Sequence, residues 1–283
     1  MHIPEPSSDV NRKKPSLLGI LEVELSDAAS VLESISQRME RLPQGKRVHS
    51  YIEVRNIIAD LIETGELHRG ARLPSERTLH EVLGVARGTL RDALTLLETE
   101  GTIHRLERRG WLVSSPRIRY DPTTLEGFHT FVSAQGRKPT TRTLSKQLVP
   151  VNAEASSVFG LDRNDPIFLI LRRRYIDARP VLLEHIYVDP QRFPRLIDHD
   201  LDGSLSSLLR DTYGIQTTHA QVTMYPSILT GPVAQELNVA QGTPSLYISR
   251  ICRCEDGYIT EYNQNFWHYN ALKLVMNVRD RAR

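Results

Sequence analysis

Two pairs of arginines have the type and spacing to do chemistry. Arg87 and Arg91 stand four residues apart in Gly84-Val85-Ala86-Arg87-Gly88-Thr89-Leu90-Arg91, so on a helix they share one face. A guanidinium offers a planar fork of donors that matches the acceptors of guanine in the major groove. A helix starting near Ala86 adds a dipole that favours phosphate. Pairing with local acids such as Glu76 or Asp92 is the competing use of these side chains. Arg172 and Arg174 stand two apart, so on a strand they share one sheet face and Arg173 takes the other. Two guanidiniums on one face need a compensating anion, from protein carboxylates or from a ligand.

Other chemistry finds little support. His129, His185, His199, His219 and His268 lack metal-ligand spacing, and no serine lies in a nucleophile-elbow setting. No catalytic residue, metal or cofactor is therefore expected, and the chain does not read as an enzyme. Cys252 and Cys254 sit two apart, where strand neighbours rarely bridge, and read as free thiols of a reducing cytoplasm. The net charge of +2 over 283 residues is close to neutral, so local arrangement must carry any argument for nucleic acid. No apolar run of about 18 residues and no signal-peptide core occur, so a cytoplasmic protein without a membrane partner is expected.

The elements that must hold the first arginine pair lie in residues 46–115. Tyr51, Val54, Ile58, Leu61 and Ile62 stripe a helix over 48–64 that Gly65 stops. Ser75 caps a short helix after Leu73-Pro74, Gly84 turns the chain, and a third helix runs from about Ala86 to Glu100. Ile103–Arg105 and Trp111–Val113 alternate like strands around the basic tip Glu107-Arg108-Arg109-Gly110. The order is a winged helix-turn-helix. Before it, residues 1–45 form an extension, its first 15 disordered in composition. Ala28, Val31, Leu32, Ile35, Met39 and Leu42 predict an amphipathic helix lying on the next domain.

Residues 116–125, with Pro116 and Pro122, read as a linker, and 126–283 as one α+β domain. Strands are expected at Ile167–Ile176, Val181–Val188, Leu246–Cys252 and Ile259–Trp267, with a hairpin at Asp177-Ala178-Arg179-Pro180. Ala153–Phe159, Ser204–Thr212 and Pro232–Leu237 are helical candidates. A mostly antiparallel sheet with helices on one face follows.

The block Leu73–Arg91, continued through Leu97-Glu98-Thr99-Glu100-Gly101 to the wing, resembles the DNA-binding domain of the GntR family of bacterial transcription regulators. A second set resembles the UTRA effector domain of the HutC subfamily. It comprises Arg172-Arg173-Arg174-Tyr175-Ile176-Asp177, Pro180, Glu184, Ser204-Leu205-Ser206-Ser207-Leu208-Leu209, Tyr213-Gly214, Leu237-Asn238-Val239 and Glu261. That domain is similar in fold to chorismate lyase, which keeps a lyase-like enzyme as an alternative; a ligand-blind DNA binder is another. Arg108-Arg109-Gly110-Trp111, Tyr120-Asp121-Pro122, Glu261-Tyr262 and Trp267-His268 are also similar to regulators of 2-aminoethylphosphonate use.

The resemblance implies DNA contacts at Arg77, Arg87, Thr89, Arg91 and the wing tip Arg108, Arg109 and Gly110. Arg108 departs from the glycine that many family members carry there, so the mode of contact changes. It also implies that Arg172 and Arg174 hold an effector's acid group. Glu184 and Glu261 would take an ammonium or hydroxyls, and Ser204 would add a hydroxyl at a helix start. Trp267 stands where many relatives have tyrosine, trading a hydroxyl for a stacking wall. The expected protein is a homodimeric regulator, a repressor rather than an activator, of a metabolic operon. Its partners are operator double-stranded DNA and a small anionic effector such as 2-aminoethylphosphonate.

Overall fold

The computed structural model describes residues 31–38, 40, 48, 50–106 and 110–277, and the chain divides into two compact units between Ser115 and Pro116. In the first unit, helix α1 (Tyr51–Glu63) opens with a capping box. Ser50 Oγ accepts from Glu53 N and the Glu53 carboxylate accepts from Ser50 N. Helix α2 (Glu76–Leu83) is capped by Ser75, whose Oγ accepts from Thr78 N, and ends at Gly84 with φ +65°. That left-handed turn is cheap for glycine and aims helix α3 (Arg87–Thr99) away from α2.

Strands β1 (Ile103–Leu106) and β2 (Gly110–Val113) pair antiparallel as the wing. Residues 71–73 run along β2, with Leu73 N donating to Trp111 O and Val113 N to Ala71 O, both at 2.9 Å. Val54, Ile58, Leu61, Leu79, Leu83, Leu90, Leu94 and Leu97 share one core. Residues 31–38 are helical, and Val31 and Ile35 are buried in that same core, so this stretch does lie on the DNA-binding domain. Arg38 Nη2 ties it to Asp60 Oδ2 at 2.6 Å. Ala28, Met39 and Leu42 of the expected stripe, and Arg108 and Arg109 of the wing tip, lie outside the described residues.

The second unit contains strand β3 (Ile118–Tyr120), helix α4 (Phe128–Ser133), β4 (Pro139–Pro150), helix α5 (Ala153–Phe159), β5 (Pro166–Ile176) and β6 (Arg179–Val188). It continues with helix α6 (Leu205–Tyr213), β7 (His219–Leu229), helix α7 (Gly231–Glu236), β8 (Thr243–Arg253), β9 (Ile259–His268) and β10 (Leu272–Leu274). The sheet is antiparallel in the order β4-β5-β6-β9-β8-β7, and β3 pairs parallel with β10. The β5–β6 hairpin turns through Asp177 and Ala178, at φ +50° and +66°, the left-handed pair that a two-residue connection requires.

Three expectations are corrected. Helices cover both sheet faces, not one. Phe168, Ile170, Ile186 and Val188 pack with Leu205 and Leu209 of α6, while Ile167, Tyr187 and Tyr262 on the opposite face pack with Ala155 of α5. The reason lies in β5, where successive residues are apolar and both sides need cover. The stretch 116–125, read as a linker, contains β3 and belongs to the second unit, with Ile118 and Tyr120 buried. Strands β4 and β7 were not anticipated. They are the sheet edges, largely exposed; β4 lacks the alternation that marks a half-buried strand, whereas β7 carries it from His219 to Met224, with Val222 and Met224 turned to the core.

Candidate functional site

The first unit presents an exposed basic face. Arg77, Arg87 and Arg91 are all exposed and Thr89 is half-buried. Helix α3 places Arg87 in its first turn and Arg91 one turn on, because Leu90, Ala93, Leu94 and Leu97 bury the other side. Its N-cap is Ala86, which makes no side-chain cap, and its first turn carries no acid. The first-turn amides of α1 and α2 are served by serines; those of α3 are left for an external acceptor such as phosphate. Arg91 Nη2 lies 3.8 Å from Glu76 Oε2, a loose and exposed pair, while Glu76 Oε1 accepts from Trp111 Nε1 at 3.1 Å. Glu76 thus ties wing to helix more firmly than it holds Arg91. Gly110, at φ +76°, turns the chain into β2 at the base of the wing tip.

In the second unit, Arg172, Arg174, Glu184, Ser204, Glu261 and Trp267 line one cavity of about 350 Å³. Period-two spacing on β5 puts Arg172 and Arg174 on the cavity face. Arg173 points to the opposite face, where its Nη1 bonds Glu236 Oε2 at 2.9 Å. Glu184, opposite Arg172 on β6, serves both cavity arginines. Its Oε2 accepts from Arg172 Nε at 2.8 Å and Arg174 Nε at 2.9 Å, and its Oε1 accepts from Arg174 Nη2 at 3.1 Å.

The two arginines are not equivalent. Arg172 Nη1 also donates to Leu201 O at 3.1 Å and Gly203 O at 3.2 Å, which fixes the loop that delivers Ser204 to the start of α6. Its side chain is only 2% exposed and nearly all its donors are engaged within the protein. Arg174 Nη1 has no hydrogen-bond partner among the described residues, and the guanidinium carbon sits 4.8 Å over the Phe128 ring. Arg174 is therefore the arginine with a donor to offer. Glu184 is committed to the pair, so of the two expected acids Glu261 is the freer. Ser204 Oγ accepts from Ser207 N as the cap of α6, and a Cβ at Gly127 would lie 3.9 Å from it, so the starts of α4 and α6 adjoin at the rim. Trp267 is buried against Phe128, with ring centroids 6.1 Å apart.

The cavity is electrostatically unbalanced. Three guanidiniums, Arg172, Arg174 and Arg250, face two carboxylates, Glu184 and Glu261, for a formal balance of +1; Glu126 and Arg210 at the rim offset each other. Burial alone would push the Glu184 carboxyl up, but Arg172 and Arg174 outweigh it and hold it below the ordinary carboxylate range. Burial, opposed by Arg172, pushes the Glu261 carboxyl up. Burial, then Arg174 and Arg172, depress His129, whose Nε2 shares a hydrogen bond of 2.9 Å with Thr141 Oγ1. Such a space suits a small anion.

Sequence reasoning missed Arg250, Asn263, His129 and Phe128 in this lining. A signal existed for one: counting by two along β9 from Glu261 reaches Asn263, Asn265 and Trp267 on the same face. Nothing local marked Arg250, which joins the cavity only through the pairing of β8 with β9.

Residues 50–113 match the model for bacterial regulatory proteins of the gntR family, and residues 134–273 match the UTRA domain. Among curated relatives, the helix-turn-helix regulator YihL of Escherichia coli (strain K12) is 28% identical over 217 residues, covering 74% of this chain and 89% of YihL. The transcriptional repressor NagR of Bacillus subtilis (strain 168) is 27% identical over 225 residues, covering 80% of this chain and 93% of NagR. Among solved structures, PhnF from Mycobacterium smegmatis aligns with a TM-score of 0.58 at 23% identity, covering 81% of this chain and all of that one, a likeness of fold.

Proposed function

Because the chain belongs to the GntR family of bacterial regulators and joins its DNA-binding domain to a UTRA domain in HutC-like order, we propose that it is a repressor whose operator binding is set by a small anion in the second unit. The carrying observation is the cavity itself: three arginines against two carboxylates, with one guanidinium nitrogen of Arg174 uncommitted. Arg174 is the grip on the acid group, with the hydroxyl and first turn at Ser204 beside it; Arg172 and Glu184 hold the grip in place. Glu261 answers the other end of the ligand. Small phosphonates are the candidate class, 2-aminoethylphosphonate among them, with an acid group for Arg174 and a polar group for the other end. Repression is the sense favoured by kinship with NagR, a repressor by name.

Arg87 and Arg91 read bases, Arg77 and Thr89 reach the backbone, and Arg108, Arg109 and Gly110 at the wing tip approach the minor groove or phosphate. One unit carries one recognition helix, and a palindromic operator needs two about one helical turn apart, so the working form is a homodimer. The test is operator affinity with and without ligand, for wild type and Arg174→Ala. Loss of the ligand response with operator affinity intact is expected. A variant that still responds with wild-type sensitivity makes the arginines purely structural.

A further inference from the structure

We infer that the far end of the cavity reads a group that both donates and accepts a hydrogen bond, a hydroxyl or an amide, through Asn263 and Arg250. The inference rests on the cavity being the effector site. Arg250 on β8 and Asn263 on β9 are direct cross-strand partners, and both line the cavity. Asn263 is 7% exposed, and among the described residues its buried Oδ1 has no hydrogen-bond partner. Arg250 Nε is buried and unpartnered as well. The rest of that guanidinium is pinned, Nη1 to Tyr120 OH at 2.9 Å and Nη2 to Thr124 O at 3.2 Å, so it cannot swing away to find an acceptor. A donor and an acceptor without partners thus belong to paired residues of β8 and β9, on strands other than the β5 and β6 that carry the Arg174–Glu184 grip.

Their chemistry discriminates between ligand ends. A methyl group satisfies neither atom. An ammonium can donate to Asn263 Oδ1, but it offers nothing to Arg250 Nε and sets a cation beside a cation. A carboxylate can accept from Arg250, but it meets the Asn263 oxygen and the neighbouring Glu261. A hydroxyl does both, accepting from Arg250 Nε while its hydrogen goes to Asn263 Oδ1; a carboxamide does the same with two atoms. Sites with paired buried polar groups reject analogues that leave those groups bare. Strands β6 and β8 are separated only by β9, so Glu184 and Arg250 stand on strands about 10 Å apart, a gap that a ligand of a few carbons can span.

The experiment titrates the full chain with hydroxyalkyl-, aminoalkyl- and alkylphosphonates of two to four carbons, and with inorganic phosphate, by calorimetry. At the best-fitting length, the hydroxyl compound should bind at least about tenfold tighter than either analogue. Asn263→Leu should bring it down to the alkyl level, and Asn263→Asp should turn the preference toward the amine, because a carboxylate accepts from an ammonium. Equal binding of the three compounds, or a preference that survives in folded Asn263→Leu, overturns the reading pair and leaves the cavity assignment standing. So does binding of phosphate with none of the series. Silence of every compound, phosphate included, overturns the cavity assignment itself.

Discussion

The two arginine pairs of this chain are set in opposite ways. Arg87 and Arg91 stand exposed on α3, where Arg91 makes a loose 3.8 Å approach to Glu76. Arg172 and Arg174 are 2% and 7% exposed and converge on a single carboxylate. The same side chain therefore meets its anion by different routes. At the DNA face hydration and mobility are kept until a polyanion displaces them, which makes binding strong only through many contacts and sensitive to salt. In the cavity the cost of desolvation is met in advance by Glu184, so one small anion needs to complete a site already built.

That contrast can be broken most sharply at Glu184. Glu184→Ala leaves two buried guanidiniums without their carboxylate, and a loss of about 3–5 kcal/mol in unfolding free energy is expected. Urea denaturation of the full chain measures it; a loss below about 1 kcal/mol would mean that water compensates the two guanidiniums once the carboxylate is gone. The matched change at the DNA face, Arg91→Ala, should alter stability by no more than about 0.5 kcal/mol, because its side chain is 73% exposed. Its effect should appear in operator affinity, weakened by about 1–3 kcal/mol if it reads a base. Intact binding by both Arg87→Ala and Arg91→Ala would move the recognition helix elsewhere.

A finer division is expected within the DNA-binding domain. Arg108→Ala should weaken binding to all operator variants alike and lower the slope of log affinity against log salt by about 1, as a phosphate contact does. Arg91→Ala should relax discrimination at a single base position. If Arg108→Ala loses selectivity at one position and keeps its salt slope, the wing reads sequence and the assignment of roles reverses.

The parts legible in the sequence are those whose signal is local. Ser75 and Gly84 marked both ends of α2, the leucine stripe marked α3, and β5, β6, β8 and β9 showed themselves by β-branched content. The edge β4 stays hidden because half of its side chains face water without a period, and β3 because three residues are too few to show one; β7 was legible, since His219 to Met224 alternates polar and apolar residues. The gathering of Arg172, Arg174, Glu184, Ser204, Glu261 and Trp267 around one cavity matched a family pattern, but their division of labour did not follow from it. It is the fold of the 201–203 loop over β5 that engages the donors of Arg172 with Leu201 and Gly203 while Arg174 keeps one back.

The smallest expected effect separates the two regions by pH. Helix α3, which carries Arg87 and Arg91, contains no histidine, whereas the cavity holds His129, half-buried on α4 and bonded to the neutral Thr141 hydroxyl. Burial first, and then the cations Arg174 and Arg172, hold its pKa below the ordinary histidine value. The unfolded chain therefore takes up a proton near pH 6.5 that the folded, unliganded protein refuses until lower pH. Stability must fall as pH drops through about 6.5 and level off below the folded-state pKa. An anion beside Arg174 reverses the sign of the local field, favours the protonated ring and shrinks that loss. His129→Gln, which can still bond Thr141, should flatten this part of the profile between about pH 7 and 5 in the unliganded protein while leaving operator affinity unchanged. Sulfate suits the liganded arm, because its charge is constant over that range: it should stabilise wild type more at pH 5.5 than at pH 7.5, and the variant equally at both. Because His185 is also held low by burial, the readout is the difference between wild type and variant. Superimposable profiles would show that His129 does not feel the arginine pair, and that the field of the cavity stops short of α4.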